Sequence, residues 1–334
     1  MTRTRVALVL GGGAARGMAH VGALGVLDRE GVEVGFIAGS SIGGLIGALY
    51  AAGFDAERIL DISRSFRFPS WFVPGAIVQW DRIFPGAKSA LEGARFEDLK
   101  RRLAIVVTDL ESGQPVVKHS GPVLPAVRAT CAMPGVLPPV RIEGRWFVDG
   151  CIVNLLPVDL AAMADPDVVV AVSVHSTRRC RMPVSRALAG TGRLAACLIP
   201  NPITARAAFD VLVRSAEIAL DRQYTLAAAM IGPEVLVQVN IGTIGLRDFH
   251  RAEEAVAAGR HAMEGAMQAL RAKLAASWAT QSGALAQNES PVLCPVCAMV
   301  VSPRRAAASV ERNGTVYSFC SLSCRDCFLR SQEA

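Results

Sequence analysis

The chain has 334 residues, of which 51% are hydrophobic and 19% are charged, and its formal net charge is +6. This composition is typical of a globular protein with one large domain and room for a small one. The modest charge, with no recognition helix or aromatic platform beside it, argues against nucleic-acid binding, and no apolar segment is long and uninterrupted enough to predict a transmembrane helix.

The first predicted strand, Val6 to Leu10, leads into a glycine loop (Gly11-Gly12-Gly13-Ala14-Ala15-Arg16-Gly17) and then into a helix. Glycines at the start of a helix leave backbone N–H groups free to bind an anion. A dinucleotide-binding loop would need glycine where Arg16 stands, and the lysine and hydroxyl of a phosphate-binding loop are missing. The loop therefore predicts an oxyanion hole, with candidate donors at Gly11, Gly12, Gly13 and Ala14.

The second predicted strand, Val34 to Ala38, is followed by Gly39-Ser40-Ser41-Ile42-Gly43 and by a helix of small residues, Gly43 to Ala52. A G-x-S-x-G sequence between a strand and a helix is typical of a nucleophile elbow. The glycines allow a sharp turn, and Ser41 then lies at a helix N-terminus, where the dipole favours developing negative charge. The alternative is an ordinary turn in which the serine caps the helix.

A third segment, Trp146-Phe147-Val148-Asp149-Gly150, places an acid at the end of an apolar strand. An Asp-Gly pair is most often a plain turn. A serine hydroxyl is a weak nucleophile, however, and Asp149 would supply the general base that it needs.

His175 is the other candidate base. It follows the predicted strand Val168 to Val174, and Ser41, Asp149 and His175 occur in the chain order of a serine–acid–histidine triad. The alternative is a histidine at a strand end without a catalytic role.

The three segments, in this order, resemble the patatin-like phospholipase family, whose pattern is G-G-G-x-x-[KR]-G, G-x-S-x-G and D-G-[GA]. Residues 11–17 and 39–43 match the first two motifs, and Asp149-Gly150-Cys151 departs from the third only at its last position. Residues 129–135 and 153–158 also look like that family. The resemblance covers about residues 5 to 275 and is closest to bacterial members related to neuropathy target esterase.

The resemblance implies a serine–aspartate dyad in which Ser41 attacks an ester carbonyl and Asp149 takes its proton, with no cofactor. The substrate would be a phospholipid or another lipid ester, and the motif-supporting residues would be Arg16, Gly17, Gly39, Gly43 and Gly150. It also implies a three-layer α/β/α sandwich with a mainly parallel sheet. Apolar runs that alternate with helical patterns, including strands at 103–108, 168–174 and 235–239, independently predict an α/β sheet buried on both faces.

The sequence gives two indications of location. The apolar stretch after Arg3 and Arg5 is short and leads directly into the glycine loop, so no signal peptide is predicted and the chain is expected to be cytoplasmic. Between Asp167 and Asp210 there is no acidic residue but several arginines, from Arg178 to Arg206. This segment is either a solvated basic loop or a peripheral contact with an anionic membrane surface.

The C-terminal region is rich in cysteine. A polar segment at 276–291 is predicted to be a linker, and Cys294, Cys297, Cys320, Cys324 and Cys327 follow it. Two cysteine pairs can supply four thiolates to a tetrahedral metal, and a module of about 40 residues rarely folds without a metal or disulfides. In a cytoplasmic protein the metal is favoured over a disulfide framework.

This tail resembles the TRASH and YHS metal-binding modules. The spacing of Cys297, Cys320 and Cys324 fits the first, and the residues around Cys297 and Cys320 look like the ends of the second. The candidate ligands are Cys294, Cys297, Cys320 and Cys324, for zinc or another soft metal. Cys327 is a spare thiol or an alternative ligand.

The predicted organisation is an acyl hydrolase domain at 1–275, the linker at 276–291 and a metal-binding module at 292–330. The predicted function is lipid ester hydrolysis of the phospholipase A or lysophospholipase type, with a metal-binding appendage. The alternative is a metal-sensing or metal-handling protein in which the patatin-like part is a scaffold. The retained Ser41 and Asp149 favour the hydrolase. Neither the head group nor the oligomeric state is indicated by the sequence.

Overall fold

The computed structural model describes residues 6–67, 78–174, 211, 215–216, 218–220, 222–224, 232–283, 292–296, 300–301, 306, 308–312, 314–319 and 322–330. Its strands are β1 (Val6–Leu10), β2 (Val34–Ser40), β3 (Arg102–Asp109), β4 (Pro115–Lys118), β5 (Val140–Ile142), β6 (Arg145–Asp149), β7 (Val168–Ser173), β8 (Val235–Gln238), β9 (Val292–Leu293), β10 (Val300–Val301), β11 (Ala308–Arg312) and β12 (Thr315–Phe319). Its α-helices are α1 (Ala19–Arg29), α2 (Ile42–Ala51), α3 (Ala56–Ser63), α4 (Trp80–Ile83), α5 (Pro85–Leu91), α6 (Val123–Thr130), α7 (Val158–Met163), α8 (Ala252–Gly283) and α9 (Leu322–Arg330).

One mixed sheet organises the larger part of the chain. Its strand order is β5-β6-β3-β2-β1-β7-β8, with β4 also paired to β3. The neighbours from β3 through β2, β1 and β7 to β8 are parallel, whereas β4, β5 and β6 pair antiparallel. The predicted mainly parallel α/β sheet is therefore confirmed.

The sheet is buried on both faces, and its central strand β1 is apolar at every position. Leu8 and Leu10 of β1 belong to one apolar cluster, which also contains residues of α1, α2 and α8. Ala7 and Val9 belong to a second cluster, which contains residues of α7. Alternate residues of a strand point to opposite faces, so helices cover both sides of the sheet and the three-layer arrangement is confirmed.

The strand before Ser41 is longer than the sequence predicts. Its predicted end was Ala38, but β2 continues to Ser40, since Gly39 pairs with Ile105 and Ser40 with Val106 of β3. The sheet therefore carries the chain directly to Ser41, and α2 begins at the next residue, Ile42.

The long helix α8 ends beyond its predicted end. The pattern predicts a helix over 248–276, whereas α8 starts at Ala252, after a 3₁₀ turn at Phe249–Arg251, and continues to Gly283. It therefore occupies the first part of the segment predicted to be a linker. Within the described ranges, no helix combines the length and apolar character needed to cross a membrane.

In the C-terminal part, β9 pairs antiparallel with β10 and β11 pairs antiparallel with β12. The rings of Tyr317 and Phe319 contact the ring of Phe328 in α9, with centroids 5.0 and 5.2 Å apart. Strand β12 and helix α9 thus share a small aromatic cluster.

The backbones of α1 and α8 are in close contact at two glycines. A Cβ atom on Gly22 would lie 1.9 Å from the carbonyl oxygen of Val256, and one on Gly259 would lie 1.9 Å from that of Ala19. Because these neighbours are backbone atoms, side-chain rearrangement cannot make room, and the helices would have to separate.

We expect Gly259→Ala to lower the free energy of unfolding by about 1–3 kcal/mol through overpacking. Gly265 is the matched control, because it is an exposed glycine of α8 with no described atom within 4 Å of an added Cβ. There, Gly265→Ala should raise stability by about 0.5–1 kcal/mol, since alanine loses less backbone entropy in a helix. Urea titrations of both variants test this, and equal effects would contradict the proposed close packing.

Candidate active site

Ser41 lies in a sharp turn between β2 and α2, as the elbow motif predicts. Its φ and ψ are 53° and −126°, a conformation that side-chain-bearing residues rarely adopt. A Cβ on Gly39 would lie 2.7 Å from the backbone of Gly43 and Gly44, and one on Gly43 would lie 2.1 Å from the carbonyl oxygen of Leu10. Glycine at 39 therefore allows the strand to pack against the start of α2, and glycine at 43 allows α2 to pack against the end of β1.

The structure brings Ser41 and Asp149 into direct contact. The Ser41 hydroxyl donates a hydrogen bond of 2.8 Å to Oδ2 of Asp149, which is 108 residues further along the chain. Asp149 ends β6, and its pairing with Val107 of β3 holds it beside the end of β2. Both side chains are buried, with exposed fractions of 7% for Ser41 and 4% for Asp149, so little bulk water competes for this hydrogen bond.

Several groups hold the aspartate. The backbone N–H of Cys151 donates to Oδ1 of Asp149 at 2.9 Å, and the Thr108 hydroxyl donates to the Asp149 carbonyl oxygen at 2.8 Å. Burial raises the pKa of Asp149 to about 6, although the hydrogen bonds from Cys151 and Ser41 act in the opposite direction. The carboxylate therefore prevails at neutral pH, with a basicity well above that of an ordinary aspartate.

The glycine loop passes beside Ser41, and its four candidate donors differ in their hydrogen bonding. The N–H of Gly11 donates to the carbonyl of Val172, and the N–H of Gly12 donates to that of Leu155. Within the described part of the chain, the N–H groups of Gly13 and Ala14 have no acceptor. The adjacent Ala14 lines the cavity that contains Ser41.

Other residues anchor this loop. Nε of Arg16 donates to the carbonyl of Ile244 at 2.9 Å, which ties the loop to the segment before α8. A Cβ on Gly17 would lie 2.2 Å from the side chain of Ile42, the residue after Ser41. The loop and the elbow therefore pack together at this point.

His20 also supports the loop, a role that its sequence context does not indicate. It is completely buried, and its Nε2 donates to the carbonyl oxygen of Gly11 at 2.7 Å. Burial lowers the pKa of His20 to about 4, so the ring is neutral at physiological pH. No local sequence pattern reveals this contact with the buried Gly11 carbonyl.

An apolar cavity opens beside Ser41 and Asp149. Its lining includes Ile42, Ile83, Phe84, Met133, Val136 and Phe249. The ring of Phe84 packs edge-on against those of Phe66 and Phe249, at centroid distances of 5.0 and 5.9 Å. The wall is thus a packed aromatic cluster, suited to an apolar ligand.

Thr130 and Cys131 have no individual role predicted from the sequence, although both lie in a stretch that resembles the family. Thr130 is completely buried, and its Oγ1 accepts the backbone N–H of Ser41 at 2.8 Å. Cys131 is buried, lines the cavity, and has a pKa raised well above its ordinary value by burial and by the nearby Asp149. Similarity to the family motif was the only signal that pointed to this stretch.

Other predicted residues lie outside the described ranges. These are His175, the arginines from Arg178 to Arg206, and the candidate metal ligands Cys297 and Cys320. Of the other two candidate ligands, Cys294 is buried and Cys324 is half-buried. Among the residues that the structure describes, no three metal-ligating side chains lie close enough together to hold an ion.

Comparison with known proteins supports the motif-based resemblance. Residues 8–162 match the model of the patatin-like phospholipase family. An uncharacterised NTE family protein of Mycobacterium tuberculosis (strain H37Rv) is 34% identical over 187 residues, covering 52% of this chain and 50% of that protein. A second one from the same strain is 29% identical over 284 residues, covering 78% of this chain and 46% of that protein.

A patatin-like phospholipase domain-containing protein of Caenorhabditis elegans is 35% identical over 194 residues, covering 53% of this chain and 14% of that protein. The chain thus spans half or less of the length of these relatives. Among solved structures, VipD from Legionella pneumophila aligns with a TM-score of 0.46 and 14% identity, covering 82% of this chain and 67% of that chain.

The raised pKa of Asp149 has a consequence for stability. A buried aspartate whose folded pKa lies above its unfolded value stabilises the fold when protonated, and this contribution is lost as the pH rises through about 6. We therefore expect Asp149→Asn to raise the free energy of unfolding by about 1–3 kcal/mol at pH 8. The gain should shrink as the pH falls from about 6 to about 4, where wild type is itself protonated.

Asp109→Asn is the matched control. Burial would raise the pKa of Asp109, but hydrogen bonds from Ser112 and the ion pair with Arg145 outweigh this and hold the pKa below its ordinary value. That substitution should therefore lower the melting temperature at pH 8. A melting temperature of Asp149→Asn at or below that of wild type across pH 5–8 would contradict the buried-carboxylate interpretation.

Proposed function

We propose that this protein is a lipid acyl hydrolase with Ser41 as nucleophile and Asp149 as general base, since residues 8–162 match the model of the patatin-like phospholipase family. The carrying observation is the 2.8 Å hydrogen bond from the Ser41 hydroxyl to the Asp149 carboxylate at a buried, sharply turned elbow. A nucleophile in hydrogen-bond reach of a base with a raised pKa is the arrangement that acyl transfer requires.

The proposed reaction has two halves. Ser41 Oγ attacks the ester carbonyl carbon while its proton passes to Oδ2 of Asp149. The tetrahedral intermediate then collapses, the alcohol leaves with the proton from Asp149, and an acyl ester of Ser41 remains. In the second half, water attacks the acyl ester, Asp149 takes a proton from the water, and that proton returns to Ser41 as the fatty acid leaves.

The oxyanion of each tetrahedral intermediate needs hydrogen-bond donors beside Ser41. Of the predicted donors, the N–H groups of Gly11 and Gly12 are used in backbone hydrogen bonds. We therefore assign the oxyanion to the N–H groups of Gly13 and Ala14. In this assignment Gly11, Gly12, Arg16 and His20 hold the loop in place through their hydrogen bonds to neighbouring groups.

The apolar cavity supports a lipid ester as substrate. Its lining of aliphatic and aromatic side chains suits an acyl chain whose ester lies at Ser41. Phospholipids and lysophospholipids are the substrate class that the family assignment favours. Docking of the basic segment Arg178 to Arg206 on an anionic membrane remains a prediction from the sequence.

We expect Ser41→Ala to abolish ester hydrolysis and labelling by a fluorophosphonate. In Asp149→Asn, kcat should fall by about 10²–10⁴-fold, because the positioned base is lost. For wild type, kcat/KM should fall about tenfold per pH unit below about pH 6, as Asp149 becomes protonated. Assays on a phospholipid and lysophospholipid panel, with Asp109→Asn as a control acid, measure these effects.

Two results would count against this function. One is a folded Ser41→Ala protein with wild-type hydrolysis. The other is a large loss in His175→Ala with Asp149→Asn near wild type, which would favour the histidine-based triad.

We further propose that residues 292–330 form a metal-binding module with Cys294, Cys297, Cys320 and Cys324 as ligands. The burial of Cys294 beside the short strand β9 supports this assignment, because a region of short strands and one helix gives little stability by itself. Four thiolates suit zinc or another soft metal. The close contact of Ser41 and Asp149 favours a hydrolase with a metal-binding appendage over a metal sensor built on an inactive scaffold.

The full-length reduced protein should contain about one zinc or other soft metal ion per chain. Replacing Cys297 or Cys320 by Ser should remove the metal and expose residues 292–330 to proteolysis, because metal binding orders such modules. Cys131→Ala, far from the tail in sequence, should retain the metal. Elemental analysis with thiol titration decides this, and metal-free protein with every tail thiol reactive would exclude the module.

A further inference from the structure

Thr130 connects the elbow to the sheet through its hydroxyl. Oγ1 accepts the backbone N–H of Ser41 at 2.8 Å and donates to the carbonyl oxygen of Val106 in β3 at 2.6 Å. Thr130 is the last residue of α6 and has no solvent exposure. Both partners are buried backbone groups, so one hydroxyl satisfies a donor and an acceptor that water does not reach.

The conformation of Ser41 makes this hydrogen bond important. With φ at 53°, Ser41 stays in its turn only if the surrounding structure opposes relaxation. The N–H that Thr130 accepts belongs to the peptide group between Ser40 and Ser41. The hydrogen bond therefore fixes the orientation of this peptide group and restricts φ of Ser41. If that peptide rotated, Oγ of Ser41 would swing away from Asp149.

The same strand also holds the base. Thr108 of β3 donates to the carbonyl oxygen of Asp149 at 2.8 Å, and Val107 pairs with Asp149 in the sheet. Strand β3 is therefore the common support of both members of the dyad, through Thr130 for Ser41 and through Thr108 for Asp149. A change in either link alters the position of one member relative to the other.

We infer that Thr130 is a positioning residue for hydrolysis, which acts by holding the Ser41 backbone through its hydroxyl. This inference rests on the proposed function and adds to it a residue that touches neither substrate nor reacting atoms. It predicts that the hydroxyl, rather than the methyl group, determines the rate of acylation.

Two substitutions separate the two parts of the side chain. The methyl group of Thr130 packs towards α2, where it lies 3.0 Å from the position of a Cβ on Gly44. Thr130→Val keeps the shape of the side chain and removes both hydrogen bonds, whereas Thr130→Ser keeps the hydroxyl and removes the methyl group. Ser63→Ala in α3 is the control for loss of a buried hydroxyl, since Ser63 donates only to the Ile59 carbonyl of its own helix.

The experiment measures kcat and KM on a soluble ester, with active sites counted by fluorophosphonate titration. Thr130→Val should lower kcat per titrated site and the labelling rate constant by about 10–100-fold, with KM within about threefold of wild type. Thr130→Ser and Ser63→Ala should stay within about threefold of wild type per titrated site. A purely structural role would lower the number of titratable sites and leave the rate per site unchanged.

If Thr130→Val does not fold, Thr130→Cys replaces it, because a thiol is a weak donor and acceptor in the same place. Its rate per site should then fall below that of Thr130→Ser. A wild-type rate per site in Thr130→Val or Thr130→Cys overturns the inference. So does a rate per site in Thr130→Ser that falls as far as that of Thr130→Val. A wild-type protein that is neither active nor labelled instead contradicts the proposed function itself.

Discussion

Ser41 is held with φ at 53° between the end of β2 and the start of α2, and the surrounding residues accommodate this turn. Gly39 lets the strand contact the start of α2, Gly43 lets α2 contact the end of β1, and the Thr130 hydroxyl accepts the N–H of Ser41. The energy of an unusual backbone conformation, about 1–3 kcal/mol, has to be supplied by such neighbours. This conformation directs the hydroxyl of Ser41 towards Asp149.

Burial of Asp149 links the chemistry of the site to its stability. Removing the carboxylate from water raises its pKa to about 6, which makes it a stronger base while leaving it ionised at neutral pH. The same desolvation lowers the stability of the folded protein at high pH, where Asp149 is ionised. Asp109, on the neighbouring strand, shows the opposite arrangement, because the ion pair with Arg145 and the hydrogen bonds from Ser112 hold its pKa low.

The glycine loop, proposed above to bind the oxyanion, is held by segments distant in the chain. Two of its N–H groups bind the carbonyls of Val172 and Leu155, and His20 binds the carbonyl of Gly11. These contacts fix the orientation of the peptides that follow, Gly13 and Ala14. An oxyanion hole needs donors that are fixed before the charge develops, since reorientation during the reaction would add to the barrier.

The sequence by itself determined the features that depend on neighbouring residues in the chain. Apolar runs predicted the central strands, and glycines at 39 and 43 marked the turn at Ser41, because a strand pattern and a turn are encoded locally. Asp149 was also predicted, but from its resemblance to a family motif, since Asp-Gly alone is an ordinary turn. The extension of β2 to Ser40 was not predicted, because pairing with β3 supplies its hydrogen bonds.

Only the tertiary structure decided which polar groups are already satisfied. Gly11 and Gly12 look like oxyanion donors in the sequence, yet their N–H groups bind carbonyls more than 140 residues away. The roles of Thr130 and His20 could not be predicted from the sequence, because their partners, the N–H of Ser41 and the carbonyl of Gly11, meet them through packing. Hydrogen-bond satisfaction in a buried site depends on which segments the fold brings together, and residue patterns along the chain do not contain that information.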